Sequence, residues 1–241
     1  MAHIDAGEAF EIESKFEIPS LSDMRHLESC FNAASADLRR ERYYRTVMRY
    51  CDAEDLALYT GGTVLRTMDA SLPYFINPEI FVKTKGVVDA SGILTREEYQ
   101  AHMSTNALDM TVLKNPRPIA LLEPAKGRSL TEHFNTVVER HHISRSFAID
   151  GKTVTVDLAL DEVWYVEKAS GDILRHAYEM EVEFEEELSD AGVTQEEARK
   201  AVRQVGDALR SQVPGLRPIE ESRADTGYRL VAEKKSWPEL K

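Results

Sequence analysis

The stretch Glu11-Ile12-Glu13-Ser14-Lys15 decides how the rest of the chain is interpreted. In a β-strand its three charged side chains share one face, while Ile12 and Phe16 lie on the opposite face. Two carboxylates about 7 Å apart, followed by a lysine, could hold a divalent cation beside an anion. Taken alone, such a stretch is more often a strand with a solvated charged face, because short motifs frequently match by chance.

Composition limits the classes of protein to which the chain can belong. Its formal net charge of −12 argues against a nucleic-acid duplex or an anionic membrane as partner, because both need a basic surface. Cys30 and Cys51 form neither a disulfide framework nor a metal-ligand spacing. No apolar run is long enough to cross a membrane, and no basic-then-apolar signal pattern opens the chain. We therefore expect a soluble protein of the reducing cytoplasm, with residues 1–241 forming one domain.

Strand-like alternation recurs along the chain and predicts a sheet. The clearest case is the segment from Tyr178 to Glu185, in which four glutamates alternate with large apolar residues. Asp150-Gly151 is the typical dipeptide of a tight hairpin, and it lies between the alternating segments 143–149 and 153–161. The basic and aromatic residues from 39 to 50 also indicate a strand.

Helices are fewer, and two segments predict them. Residues 20–35 have serine caps and one apolar face, and Thr194 with Glu197 forms a capping box before an amphipathic segment. Residues 95–98 fit a helix start and a strand equally well, and 129–134 indicates a helical turn. The pattern predicts an α+β protein in which a few helices cover antiparallel strands.

The charged faces of the strands are not explained by an exposed sheet alone. Glutamate and aspartate are depleted from strands, so rows of carboxylates need a reason. Because the opposite faces are richly apolar, we expect a closed β-barrel with helices outside and charges inside. An open sheet with a solvated charged face is the alternative. The lumen of the barrel is expected to contain five carboxylates, Glu11, Glu13, Glu179, Glu181 and Glu183, and five cations, Lys15, Arg66, Lys85, Arg145 and Arg223.

The balance of these charges indicates a ligand. Carboxylates gathered closely repel one another, and a divalent metal is the usual remedy. Arginine and lysine beside a bound metal suit phosphate oxygens. The pattern therefore predicts a barrel that binds a metal ion and a polyphosphate.

These residues resemble the CYTH domain of the triphosphate tunnel metalloenzyme superfamily. Glu11-Ile12-Glu13-Ser14-Lys15 is similar to its ExExK signature, and Tyr178–Glu183 to its Glu-x-Glu-x-Glu strand. Residues 50–56 resemble its Tyr-Tyr-Asp-Thr-Pro-Asp-Leu turn. Further matching blocks follow in order at 65–68, 83–86, 96–99, 145, 160–161, 222–223 and 227–228. The resemblance covers a core of about residues 8–231.

Three departures from the family pattern affect the expected ligand site. Met68 replaces the second arginine of the Leu-Arg-x-Arg strand and so removes one expected phosphate ligand. Arg223 replaces a lysine, which keeps the charge and changes its geometry. Lys83 replaces a threonine and adds a charge. These departures concern the identity of the substrate more than the fold.

The resemblance implies an eight-stranded antiparallel tunnel that binds a triphosphate with Mg²⁺ or Mn²⁺. By position, the implied metal ligands are Glu11, Glu13, Glu179, Glu181 and Glu183, with Asp161 near the metal or orienting a basic ligand. The implied phosphate ligands are Lys15, Arg66, Lys83, Lys85, Arg96, Arg145 and Arg223. Among these residues, Glu11, Glu13, Lys15 and Arg66 would carry catalysis.

The implied activity is hydrolysis of a triphosphate, with inorganic triphosphate as the leading substrate. Thiamine triphosphatase, nucleoside or RNA 5′-triphosphatase and class IV adenylate cyclase are alternatives that would use the same tunnel. A catalytically silent triphosphate- or polyphosphate-binding module is the alternative from another class, and Met68 favours it. The sequence contains no base-reading or thiazole-reading motif that would choose among them, and it indicates no general base and no oligomeric state.

Overall fold

The computed structural model describes residues 9–33, 38–69, 77–186 and 189–235. Within these ranges the strands are β1 (Ala9–Ile18), β2 (Leu38–Asp52), β3 (Thr63–Met68), β4 (Glu79–Thr84), β5 (Val87–Val88), β6 (Ile93–His102), β7 (Thr131–Ile149), β8 (Lys152–Glu167), β9 (Ile173–Glu185) and β10 (Arg217–Pro218). The α-helices there are α1 (Leu21–Ala33), α2 (Ala57–Thr60), α3 (Pro116–Leu121), α4 (Gln195–Gln212) and α5 (Arg223–Lys235).

Eight of the strands form a closed antiparallel barrel. Their hydrogen-bonded order is β1-β9-β8-β7-β2-β3-β4-β6, and β6 pairs with β1 to complete the ring. β1 closes the barrel because it pairs with β6 on one side and with β9 on the other. In these pairings Glu11 lies opposite Arg96 of β6, and Lys15 lies opposite Glu181 of β9. The short strands β5 and β10 extend the sheet beside β6 and β1. The predicted closed eight-stranded barrel of an α+β protein is therefore confirmed.

The outer face of the barrel is apolar and is covered by helices. Ile12 of β1 and Val182 of β9 belong to a buried cluster that includes Leu158 of β8 and Leu27 of α1. α4 covers this cluster with the stripe that begins at Ala198. The predicted capping box is present, since Thr194 accepts from the Glu197 N–H and the Glu197 side chain accepts from the Thr194 N–H.

α5 has a different position, because it packs against lumen-facing side chains at one end of the barrel. Tyr228 of α5 lies edge-on to Phe134 of β7, with ring centroids 5.1 Å apart. Gly227 is so close to the same ring that a Cβ at this position would lie 2.0 Å from Phe134 Cε2. α5 continues from this contact as far as Lys235.

Two further local predictions are settled by the strand pairing. Residues 95–98 form part of β6, which selects the strand alternative. The predicted helical turn at 129–134 is wrong, because β7 begins at Thr131 to pair with β2 and β8. The hairpin at Asp150-Gly151 is confirmed, and both residues have the positive φ that its tight turn requires. Among the residues described, no helix has the length and apolar character needed to cross a membrane.

Candidate active site

The barrel lumen holds a cavity of about 210 Å³. Its charged lining residues are Glu11, Lys15, Arg66, Lys83, Arg96, Glu98, Arg140, Glu181, Glu183 and Arg223. They come from β1, β3, β4, β6, β7 and β9 and from the start of α5. Strand alternation thus brings charges that are distant in sequence to one enclosed space.

Glu11 lies between two cations of neighbouring strands. Lys83 Nζ donates to its two carboxylate oxygens at 2.9 and 3.1 Å, and Arg96 Nε also donates to it. Arg96 Nη2 donates to Glu13 Oε1 at 3.3 Å. Burial would raise the pKa of Glu11, but Arg96 and Lys83 hold it well below its usual range. Glu11 is therefore a permanently charged carboxylate.

Glu183 lies near Glu11 and Glu13 and forms no ion pair with a described residue. Burial and the carboxylates of Glu11, Glu13 and Glu98 raise its pKa well above the usual range. The pKa of Glu98 is also raised by burial, although Lys83 bonds to it. This corner of the lumen therefore carries more negative charge than its two cations neutralise.

A second cluster of carboxylates lies on β8 and β9 and is bonded to two arginines. Its members are Asp161, Glu179 and Glu181. Arg140 donates to Asp161 at 2.7 and 2.6 Å, and it also bonds to Glu181. Arg223 Nε donates to Glu179 Oε2 at 2.8 Å, and its Nη2 bonds to Asp161. The guanidinium of Arg223 thus connects α5 to the wall of the barrel.

Lys15 lies between the two clusters of carboxylates, the one around Glu11 and the one around Asp161. Its Nζ is 2.8 Å from Glu181 Oε1. Burial would lower the pKa of Lys15, but Glu181 and Glu13 raise it, so the ammonium group stays charged. The opening motif therefore places its lysine where it can contact a ligand held at either cluster.

Arg66 has different surroundings from the other lumen cations. Its guanidinium carbon lies 4.7 Å from the centroid of the Phe81 ring, and Nη1 is 3.3 Å from Met48 Sδ. It forms no ion pair with a described carboxylate, and its buried Nε has no hydrogen-bond partner. Met68, the residue that departs from the family pattern, lines the same side of the cavity.

The structure brings most of the predicted site residues to the lumen, but two of them lie elsewhere. Lys85 is exposed beyond the end of β4 and does not line the cavity. Arg145 pairs with Val156, a residue of the outer apolar cluster, so it belongs to the outer face of β7. The predicted lumen position of Arg145 is corrected for this reason.

Two charged residues of the lumen were missed by sequence reasoning. Arg140 is the arginine of β7 that faces the cavity, and its opposite parity to Ile143 could have identified it. Glu98 shares a face with Arg96 and was recognised only as part of an alternating segment. Strand parity was therefore the signal available for both residues.

The fit of a divalent cation can be judged from these contacts. Among the described residues, no group of three or more His, Cys, Asp or Glu converges on one metal position. The donor type nevertheless fits at the corner formed by Glu11, Glu13, Glu98 and Glu183, because Mg²⁺ and Mn²⁺ prefer carboxylate oxygens. Burial and the neighbouring carboxylates raise the pKa of Glu183, and a divalent cation bound there would oppose this effect. Binding there would require Glu11 to turn from Lys83 and Arg96.

No protein-family model matches this sequence, and no curated protein matches it. Solved structures do match. HpAC1 from Hippeastrum, described as an adenylyl cyclase with a dominant triphosphatase activity, is 18% identical, with a TM-score of 0.53 over 90% of this chain and 95% of that one. A proposed adenylate cyclase from Bacillus halodurans is 15% identical, with a TM-score of 0.54 over 91% and 98% of the two chains.

A third solved structure is that of the PH1819 protein from Pyrococcus horikoshii OT3. It is 17% identical, and the match covers 93% of this chain and 99% of that one with a TM-score of 0.50. At these identities the likeness concerns the fold. This chain therefore has the closed tunnel barrel that these proteins share, and the fold implied by its resemblance to the triphosphate tunnel superfamily is confirmed.

Proposed function

We propose that this protein hydrolyses a triphosphate in the barrel lumen together with Mg²⁺ or Mn²⁺. The observation that carries the proposal is the environment of Arg66, a lumen cation without a carboxylate partner among the described residues. It faces the same cavity as Glu183, a carboxylate without a cation among those residues. A multiply charged anion and a divalent cation would together satisfy both groups.

The lumen residues divide into two roles in this proposal. Glu11, Glu13, Glu98 and Glu183 would hold the metal ion, which would neutralise phosphate charge and supply a water of lowered pKa. The sequence also assigned Asp161, Glu179 and Glu181 to metal. Their bonds to Arg140 and Arg223 favour a role in orienting those arginines.

The cationic side chains would bind the phosphate oxygens. Four of them, Lys15, Lys83, Arg66 and Arg96, line the cavity. Fixed donors directed at the transferred phosphoryl group stabilise its charge without reorganisation during the reaction. We assign the attack to water, since none of the residues that line the cavity is a cysteine or a histidine and its serine, Ser222, bonds to Asp225.

Inorganic triphosphate remains the leading substrate in this proposal, in a reducing compartment such as the cytoplasm. The dominant triphosphatase activity described for HpAC1, which has the same fold, supports hydrolysis over cyclisation. Thiamine triphosphatase, nucleoside or RNA 5′-triphosphatase and class IV adenylate cyclase are alternatives with the same polyphosphate chemistry. A silent triphosphate- or polyphosphate-binding module would bind the ligand without turnover.

The proposal is tested by measuring phosphate release from triphosphate, ATP and thiamine triphosphate with Mg²⁺ and with Mn²⁺. Orthophosphate is the expected product, whereas cyclic AMP and pyrophosphate from ATP would favour the cyclase. Glu13→Gln should lose most of the activity, since Glu13 is one of the proposed metal ligands. Glu139→Gln is the matched control on the outer face of β7. Full metal-dependent release by Glu13→Gln would contradict the proposal.

A further inference from the structure

We propose that Tyr50 and Arg66 form an anion subsite, in which the Tyr50 hydroxyl donates a hydrogen bond to a phosphoryl oxygen of the substrate. The inference rests on the proposed function and deepens it by adding a neutral donor to the charged ligands. Tyr50 belongs to β2, which lies across the barrel from β1, four strands away in either direction around the ring. The subsite is therefore opposite the strand that carries Glu11 and Glu13.

The Tyr50 hydroxyl is buried and has no hydrogen-bond partner among the described residues. The residue is 1% exposed and lines the cavity, and its hydroxyl oxygen forms no hydrogen bond with any described residue. A buried polar group without a partner destabilises the protein, because it has lost its hydrogen bonds to water. Such groups in native proteins are rare and usually have a role that repays the cost. A bound ligand that accepts a hydrogen bond would satisfy this one.

The tyrosine ring is held rigidly in its place. It stacks on Phe134 with the centroids 4.3 Å apart and an interplanar angle of 11°. Tyr50 is also the cross-strand partner of Arg66 in the pairing of β2 with β3, so both side chains project from the same face of the sheet. The subsite thus combines a fixed phenol with the guanidinium that lacks a carboxylate.

The surroundings of this pair define the chemistry of its ligand. The neighbouring lining residues on β2, β3 and β4 are Met48, Val64, Met68 and Phe81. They supply no carboxylate, so the donors that lack a partner among the described residues are the Tyr50 O–H and the Arg66 Nε–H. Phosphoryl oxygens are acceptors only. The subsite would therefore bind the phosphoryl group of the chain that is most remote from the metal-binding carboxylates.

The hydroxyl is tested with Tyr50→Phe, which keeps the ring and its stacking. Binding of inorganic triphosphate is measured by calorimetry in EDTA, and KM for triphosphate is measured with Mg²⁺. We expect the dissociation constant and KM each to rise about tenfold or more, because the variant loses a hydrogen bond to a charged ligand. The melting temperature of the ligand-free variant should be unchanged or higher, because no hydrogen bond within the protein is lost.

Tyr99→Phe is the matched control for loss of a buried phenol. Tyr99 is also 1% exposed, but its hydroxyl donates to Glu97 at 3.3 Å outside the lumen. This variant should keep the affinity for triphosphate and have a lower melting temperature. Tyr50→Phe should therefore lose affinity without losing ligand-free stability, whereas Tyr99→Phe should lose stability without losing affinity.

Each outcome decides the inference. If Tyr50→Phe raises neither constant while the wild-type protein binds and hydrolyses triphosphate, the subsite is wrong and the proposed function stands. A lower melting temperature of ligand-free Tyr50→Phe also overturns the subsite, because it shows a hydrogen bond within the protein. If the wild-type protein neither binds nor hydrolyses triphosphate, the proposed function fails and the subsite fails with it.

Discussion

Arg66→Met and Arg223→Met each remove one guanidinium group from the lumen, but we expect the first to weaken ligand binding and the second to weaken folding. Arg66 contacts Met48 and the Phe81 ring and has no carboxylate partner among the described residues. Arg223 is bonded to Asp161 and to Glu179, both of them fully buried carboxylates. The first substitution should therefore affect the ligand, and the second should affect the folded protein.

The structure sets the magnitude of each effect. Arg66→Met loses a cation–π contact of about 0.5–2 kcal/mol and replaces a buried unpaired cation by an apolar side chain. We expect its free energy of unfolding to change by no more than about 1 kcal/mol. Each charged hydrogen bond to phosphate that it loses is worth about 1.5–3 kcal/mol, which is about a 10- to 150-fold loss of affinity.

Arg223→Met leaves the buried carboxylate of Glu179 without its cation and removes one of the two arginines that are bonded to Asp161. Breaking a buried ion pair from one side typically costs about 3–5 kcal/mol. This loss is a large fraction of the stability of a typical domain. Arg223→Met should therefore unfold at a much lower denaturant concentration than Arg66→Met.

Urea unfolding followed by circular dichroism and calorimetric titration with inorganic triphosphate measure the two effects separately. The reasoning is refuted if Arg66→Met is as unstable as Arg223→Met, because Arg66 would then have a structural partner. It is refuted equally if Arg66→Met binds triphosphate as the wild-type protein does.

Three further predictions concern separate parts of the molecule. Glu183→Gln should weaken Mg²⁺ binding in calorimetry. The folded state has the raised pKa and keeps a proton that the unfolded chain releases. Metal-free stability should therefore increase as the pH falls from neutral towards the ordinary glutamate pKa, and the variant should lose this dependence in thermal unfolding. Gly227→Ala places a Cβ 2.0 Å from a Phe134 ring carbon and should cost about 1–3 kcal/mol or more in urea unfolding. Burial raises the pKa of Cys51 to about 12, so in the native protein only the half-buried Cys30 should react with a chromogenic thiol reagent near neutral pH, and both thiols should react after denaturation.

The parts of the fold that could be predicted from the sequence are those encoded locally. The glutamates of 11–15 and 179–183 alternate with apolar residues, and this alternation alone assigns them to one face of a strand. Asp150-Gly151 specifies its own turn. The Asp52 turn is similarly local, because its carboxylate accepts hydrogen bonds from the backbone N–H groups of Ala53, Leu58 and Tyr59 at 2.7, 3.0 and 2.8 Å.

The pairing of charges across the lumen could not be predicted in the same way. Whether Glu11 meets Lys83 of β4 or Arg96 of β6 depends on the stagger of strands that are distant in sequence, which no local pattern specifies. Arg145 was assigned to the lumen by its place in a motif, whereas its parity assigned it to the apolar face together with Ile143. Where motif position and strand parity disagreed, parity was correct.

The position of α5 has a consequence for protein synthesis. A ribosome releases β9 before α5, so a nascent chain can form most of the barrel before Arg223 is available. In that intermediate, Asp161 and Glu179 would lack the arginine that α5 supplies. The lumen therefore acquires the charge of Arg223 only after α5 has been synthesised.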